Sequence, residues 1–81
     1  ELLRDGSLVV EGTVAASEVR KAFDVPIPES EEFETVAGFV LAQLGALPRG
    51  GESVEVEGFR FTVVDVERNR ISKVKIERRP A

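Results

Sequence analysis

The sequence predicts an α+β domain, a two-layer sandwich in which two helices cover one face of an antiparallel sheet, in the order β(β)-α-α-β-β-β. Two observations carry this prediction. From residue 53 onward, apolar and polar residues alternate with a period of two, which is typical of strands with one buried face. Between residues 35 and 44 the apolar residues recur at three- and four-residue spacing, which is typical of a helix. Because neither element can bury its apolar face alone, the helices must cover the sheet.

The first third of the chain is predicted to form one or two short strands and a short helix. Residues 7–11 are a strand, and residues 13–15 continue it if the chain only bends at Gly12. Ser17 is the expected N-cap of the first helix. The apolar face of this helix is expected to hold Val19, Ala22 and Phe23. Residues 24–34, with two prolines and four glutamates, are predicted to form a loop.

The second helix, over residues 35–44, has the clearest sequence signature. Its buried stripe is predicted to consist of Val36, Phe39, Val40 and Leu44, and Leu41 widens it. Gly45 is the expected C-terminal glycine, and Pro48 lies where a helix cannot continue.

A three-stranded meander is predicted to follow the second helix. Its strands are expected at residues 53–57, 59–63 and 71–77. Gly58 marks a tight hairpin, and residues 68–70 form the next turn. The alternation changes phase at Val64 and Val66, which indicates a bulge or a strand buried on both faces. Pro80 is expected to end the last strand.

Composition bounds the function more firmly than any motif. At 81 residues, the chain is predicted to be a single domain, 1–81. It contains no cysteine and no histidine, so thiolate nucleophiles, imidazole bases and zinc ligation by these residues are excluded, and no enzyme activity is expected. The weakly polar run at residues 38–47 is far shorter than the roughly 20 residues of a membrane-spanning helix, so no membrane insertion is expected.

The charge is unevenly distributed along the chain. Residues 1–57 carry 12 acidic and 4 basic residues, whereas residues 58–81 carry 3 acidic and 7 basic residues. The basic residues alternate with apolar ones along predicted strands, as on a solvated sheet face. Because no aromatic platform or basic helix accompanies them, nucleic acid is not an expected partner.

The predicted loop contains the only candidates for a metal site. These weak candidates are Asp24, Glu29, Glu31, Glu32 and Glu34. Carboxylate oxygens suit magnesium and calcium, but the segment lacks the spacing of a dedicated calcium loop. Solvated acids before a helix N-terminus, stabilised by its dipole, explain the same residues. We therefore expect no specific site here.

Three other features have a functional and a structural interpretation. The turn at residues 48–51 is rich in glycine like a phosphate-binding loop, but it leads from a helix into a strand, which favours a structural turn. Glu55 and Glu57 are predicted to share one solvated strand face rather than to oppose each other across a cleft. The aromatic residues expected in the core rather than in a ligand-stacking platform are Phe23, Phe39, Phe59 and Phe61.

The segment at residues 34–52, ETVAGFVLAQLGALPRGGE, closely resembles the signature of the transporter-associated domain of the CorC/HlyC family. Glycines and a proline lie in register with that signature, and a Gly-Phe hairpin at residues 58–59 agrees as well. Ala37 stands where the family often has a second glycine, and Glu52 where aspartate is usual. We interpret Gly38 as a residue that lets the helix approach a neighbour closely.

The resemblance implies a fold related to part of an FAD-binding fold and no catalytic or cofactor-binding residues. It implies a regulatory or interaction domain at the cytoplasmic C-terminus of an integral membrane protein linked to magnesium and cobalt efflux or named as a hemolysin. The implied partners are neighbouring CBS and membrane domains of the same protein, and a homodimer is an open alternative. The alternative function is a small-ligand-binding module for FAD or another adenine nucleotide.

Overall fold

The computed structural model describes residues 6–78, so the predicted end of the last strand at Pro80 lies outside the described residues. The elements follow the predicted order. They are β1 (Leu8–Glu11), α1 (Ala16–Phe23), α2 (Val36–Leu44), β2 (Ser53–Val56), β3 (Phe59–Glu67) and β4 (Arg70–Arg78). The α+β class and the C-terminal three-stranded meander are therefore confirmed.

All neighbouring strands of the sheet are antiparallel, and their order is β1-β4-β3-β2. The first and last strands of the described chain are thus neighbours. The register aligns four apolar residues in one row across the sheet, which are Leu8, Ile76, Phe61 and Val54. Side chains in such a row point to the same face, and the helices pack against this face.

The core is centred on Phe39 of α2. Its side chain is 0% exposed, and its ring contacts the rings of Phe33 and Phe61 edge-on, with centroid distances of 5.3 and 5.2 Å. Edge-to-face contact is a favoured arrangement of aromatic rings. The predicted stripe of α2 is confirmed at Val36, Phe39 and Val40, whereas Leu41 is 40% exposed and does not widen it.

Residues 13–15 do not extend β1, so that part of the prediction is wrong. The chain turns after Glu11, and Ala15 forms an isolated bridge with Thr35 instead. The amide of Val36 donates to the carbonyl of Val14 at 2.9 Å. The turn moves residues 13–15 away from the sheet. The carbonyl of Val14 therefore finds its hydrogen-bond partner at the start of α2 instead.

Helix α1 begins before Ser17, and its predicted N-cap and apolar face both need correction. Ala15 is the N-cap residue and offers no side-chain hydrogen bond, but the amide of Ala16 donates to the carbonyl of Glu34 at 2.8 Å. A backbone carbonyl therefore satisfies one of the first amides of the helix, which have no partner within the helix. The buried residues of α1 are Ala16 and Val19, whereas Ala22 and Phe23 are exposed.

Helix α2 has a side chain at its N-cap and an αL residue at its C-cap. Thr35 is the N-cap, and its Oγ1 accepts the amide of Gly38 at 3.0 Å. Gly45 adopts φ 74° and donates its amide to the carbonyl of Leu41, which confirms its predicted role. The close neighbour of Gly38 is Phe33 in the preceding loop, because a Cβ at Gly38 would lie 3.0 Å from that of Phe33.

We expect a marked difference between the substitutions Thr35→Ala and Ser17→Ala. Thr35→Ala removes the acceptor for the Gly38 amide and should lower the free energy of unfolding by about 1 kcal/mol. Ser17→Ala removes the hydroxyl group of an exposed residue inside α1 and should change the free energy of unfolding by less than about 0.5 kcal/mol. Urea denaturation of both variants measures these values, and a loss confined to Ser17→Ala would place the start of α1 at its predicted position after all.

The hairpins of the meander have two-residue turns. Glu57 and Gly58 have φ of 46° and 86°, and Arg68 and Asn69 have φ of 49° and 64°. Positive φ at both central residues matches the twist of antiparallel strands. Glu57 therefore belongs to the turn and not to β2, contrary to the prediction. The predicted bulge is confirmed, since the register of β3 and β4 shifts between Val63 and Asp65.

Candidate functional site

The loop between the two helices is held to the core at two positions. Val25 is 3% exposed and Ile27 is 1% exposed, so this segment contributes to the core, although its composition predicted only a solvent-exposed loop. The Nε of Arg20 donates to the carbonyl of Ile27 at 2.7 Å. The loop therefore has a defined course, and the acidic residues that follow are placed by it.

The structure does not bring the five candidate carboxylates together. Asp24 is the C-cap of α1, with φ 55°, and Glu29 forms an ion pair with Arg20 at 3.6 Å. Glu31, Glu32 and Glu34 are exposed. Within residues 6–78, no group of three acidic side chains lies close enough to hold a metal ion. The expectation that this loop has no specific metal site remains a prediction.

The turn between α2 and β2 does bind an anion, and the anion belongs to the chain itself. The carboxylate of Glu52 accepts the amide of Arg49 at 2.8 Å and the amide of Gly50 at 2.7 Å. Consecutive backbone amides that converge on one carboxylate form an anion-binding nest. The phosphate-cradle interpretation of residues 48–51 therefore fails for a physical reason, since the place of the phosphate is taken.

The pKa of Glu52 lies below its ordinary value of 4.5. The main cause is the hydrogen bond from the Arg49 amide, followed by the amides of Glu52 itself and of Gly50 and by the charge of Arg49, while burial opposes the shift. Hydrogen bonds to the charged form of a carboxylate favour that form. The ionised side chain of Glu52 is therefore part of the folded turn.

This pKa predicts acid sensitivity at the turn. Because the folded-state pKa is lowered, the contribution of Glu52 to stability is present above pH 4.5 and disappears as the pH falls through its folded-state pKa. An NMR titration should show the Glu52 carboxyl titrating below pH 4.5, and Glu52→Gln should make stability less dependent on pH in that window. Glu31→Gln, which removes an exposed loop carboxylate, serves as the control. Equal effects of the two substitutions would contradict the assignment.

The outer face of the sheet carries a row of paired charges. Arg60 lies between Glu55 and Glu77, with nitrogen–oxygen distances of 3.4 and 4.0 Å. The register also places Lys73 opposite Asp65 on β3 and Glu11 on β1. Each of these four carboxylates therefore lies next to a basic residue of a neighbouring strand.

One end of the described sandwich contains a cleft that the sequence did not indicate. This end cleft has a volume of about 410 Å³ and lies between the end of α1, the start of β1 and β3, and the end of β4. Leu8, Val25 and Ile76 form its apolar floor, while Phe23 and the pair Phe59–Arg78 line its sides. The volume is in the range of small-ligand pockets, and Gly6, Ser7 and Glu77 complete the lining.

Phe23 is the residue of this cleft that sequence reasoning placed wrongly. It was expected in the core, but its side chain is 47% exposed. The signal that could have found it is the length of α1. With only 8 residues, α1 has about two turns, and Phe23 is its last residue. Val25 and Ile27, which follow the helix, occupy the core instead of Phe23.

The chain belongs to the Transporter associated domain family, CorC_HlyC, which matches residues 2–80. A solved transporter associated domain from a CBS domain protein of Porphyromonas gingivalis is 33% identical, with a TM-score of 0.87 and coverage of 99% of this chain and 97% of that one. The corresponding domain of a Xylella fastidiosa hemolysin, in complex with Mg²⁺ and Mn²⁺, is 28% identical, with a TM-score of 0.86 and coverage of 99% and 96%.

Curated relatives extend well beyond the matched region. Hemolysin C of Brachyspira hyodysenteriae is 34% identical over 74 residues, which are 91% of this chain and 28% of the relative. The UPF0053 inner membrane protein YfjD of Escherichia coli is 35% identical over 72 residues, 89% of this chain and 17% of the relative. The polyamine export protein of Salmonella typhimurium is 31% identical over 75 residues, with coverage of 91% and 17%. This chain therefore spans less than a third of the length of these relatives.

Neither helix within residues 6–78 is long and apolar enough to cross a bilayer.

Proposed function

We propose that this chain is a non-catalytic regulatory domain of a larger membrane transport protein. It would lie at the cytoplasmic face of the membrane, as the C-terminal part of that protein. It would modulate transport by contact with the neighbouring CBS and membrane domains. The transported ion or polyamine would be handled by those other domains.

One observation carries this proposal. The family match extends over residues 2–80, and the matched region makes up only 17–28% of the relatives Hemolysin C, YfjD and the Salmonella export protein. A domain that recurs as a small part of membrane and export proteins is expected to act on the rest of the protein. The solved neighbour that comes from a CBS domain protein supports the choice of partner.

The chemistry of the chain is consistent with contact rather than catalysis. Histidine and cysteine are absent from the sequence. In the described part of the chain, the carboxylate of Glu52 accepts the backbone amides of Arg49 and Gly50. The FAD and homodimer alternatives gain no support from the comparisons, so the proposal does not include them.

Hydrogen exchange can test the contact. The amides of residues 6–78 are compared in the isolated chain and in the full-length parent protein under the same conditions. The proposal predicts that one contiguous surface patch gains protection in the parent, while core amides such as that of Phe39 keep theirs. Identical exchange over the whole domain surface would contradict contact with the neighbouring domains.

Divalent ions provide a second test, because the Xylella relative was solved with Mg²⁺ and Mn²⁺. The separation of the loop carboxylates predicts that this chain binds Mg²⁺ and Ca²⁺ only at millimolar concentrations or higher, with little preference between them. Isothermal titration of both ions into the wild type and into a Glu31→Gln/Glu32→Gln variant measures this. Micromolar binding of Mg²⁺ that disappears in the variant would make the loop an ion sensor and overturn the prediction.

A further inference from the structure

We propose that the end cleft binds a small planar aromatic molecule that carries a single negative charge. The cleft holds about 410 Å³ between apolar floor residues and two phenylalanine side chains. Small-ligand sites are typically clefts of this size, with mostly apolar walls and a few polar groups that fix orientation. The inference rests on Arg78 and Phe23 and is independent of the proposed regulatory role.

Arg78 lies at the end of β4 that borders the cleft. Alternation along β4 places Val74, Ile76 and Arg78 on the same face of the sheet, and the first two of these are buried. A cation therefore follows Val74 and Ile76 on the buried face of β4. Its guanidinium carbon lies 5.2 Å from the centroid of the Phe59 ring, a cation–π distance that keeps the charge at the edge of the cleft.

The charge of Arg78 has no carboxylate partner among residues 6–78. None of the ion pairs of this part of the chain involves Arg78. Glu77, which also lines the cleft, pairs with Arg60 at 4.0 Å. A guanidinium with free donors at the edge of an apolar cleft is complementary to a carboxylate or sulfonate. Because Arg78 is the one cation that lines this cleft within residues 6–78, the proposed ligand carries one negative charge, unlike a pyrophosphate.

Phe23 is the exposed aromatic side chain of the cleft. An aromatic side chain that is 47% exposed at the end of a helix leaves a large apolar surface in water. Phe23 lines the cleft together with Phe59 and Arg78. A planar aromatic ligand between these walls would cover Phe23 and contact the apolar floor at Leu8 and Val25. Aromatic and guanidinium planes both favour a flat ligand.

Two dyes that differ by one charged group test the proposal on the chain as it stands. 1-Anilinonaphthalene-8-sulfonate is an aromatic monoanion, and N-phenyl-1-naphthylamine is nearly the same molecule without the sulfonate. We expect saturable one-to-one binding of the sulfonate, followed by fluorescence. Phe23→Ala should weaken both dyes about 10-fold. Arg78→Gln should weaken the sulfonate about 10-fold and the neutral dye less than about 2-fold.

A matched control separates this cleft from general apolar binding. Leu47 is 50% exposed in the turn after α2, away from the cleft, so Leu47→Ala should leave both affinities unchanged. In the wild-type chain, amide shifts caused by the sulfonate should centre on Leu8, Val25 and Arg78, a measurement that needs no variant. Binding that is insensitive to both cleft substitutions, equally sensitive to Leu47→Ala, or absent would overturn the proposal.

Discussion

Replacing Phe39 with alanine is expected to lower the free energy of unfolding by about 3–5 kcal/mol. The side chain is 0% exposed, and its ring contacts both Phe33 and Phe61, so the substitution leaves a cavity between the helical layer and the sheet. The cost combines the lost transfer free energy with the cavity that the surroundings cannot fill. Chemical denaturation by circular dichroism measures it.

Phe23→Ala is the matched control for this prediction. The same atoms are removed, but from a side chain that is 47% exposed, so we expect a loss below about 1 kcal/mol. A loss at Phe39 below about 1 kcal/mol, or equal losses at both positions, would mean that α2 turns a different face to the sheet.

Gly12→Ala is expected to destabilise the fold by about 1–3 kcal/mol or more. An added Cβ would collide with the backbone carbonyl oxygen of Ile71 and would lie 2.9 Å from the Cβ of Ala37. Two backbone hydrogen bonds hold Gly12 against these neighbours. Its amide donates to the carbonyl of Ser72 at 2.8 Å, and its carbonyl accepts the amide of Ala37 at 3.0 Å. A thermal denaturation series measures the loss.

The sign of this effect is informative. Gly→Ala at an unstrained position usually stabilises a protein by about 0.4–1 kcal/mol, because it restricts the unfolded chain. Thr13→Ala, at the adjacent exposed position, should change stability by less than about 0.5 kcal/mol. A stabilised Gly12→Ala variant would show that β4 and α2 do not approach Gly12 closely.

Local sequence patterns predicted the elements whose structure depends on residues close to them in the chain. The stripe of α2, its end at Gly45, the hairpin at Gly58 and the bulge near Val64 depend on periodicity and on backbone chemistry within a few residues. The helix is recognisable because its apolar residues follow the helical repeat, and the hairpin because a glycine stands where φ is positive.

Features that depend on distant backbone could not be predicted in the same way. Helix α1 starts without the Ser17 cap because the carbonyl of Glu34, far along the chain, accepts the Ala16 amide. The pairing of β1 with β4 and the close approach at Gly12 have the same origin. No local pattern encodes such contacts, since they arise only when the layers assemble.

The candidate sites show the same division. Exposure of the loop acids followed from their composition, whereas the burial of Val25 and Ile27 beside them did not. The filling of the glycine-rich turn by Glu52 required knowledge of where that side chain folds back. The end cleft appears only when the first strand and the last lie side by side.

The most direct test of the central claim is a transport measurement on the parent protein. Purified full-length protein and a form that lacks the region corresponding to residues 2–80 are reconstituted in liposomes in equal amounts, and efflux of Mg²⁺, Co²⁺ and a polyamine is followed. A regulatory domain predicts that the shortened protein still transports, with a changed rate or a changed response to substrate concentration. Identical transport by the two forms would contradict a regulatory role, and complete loss of transport in a correctly folded shortened protein would place the transport machinery partly in this domain.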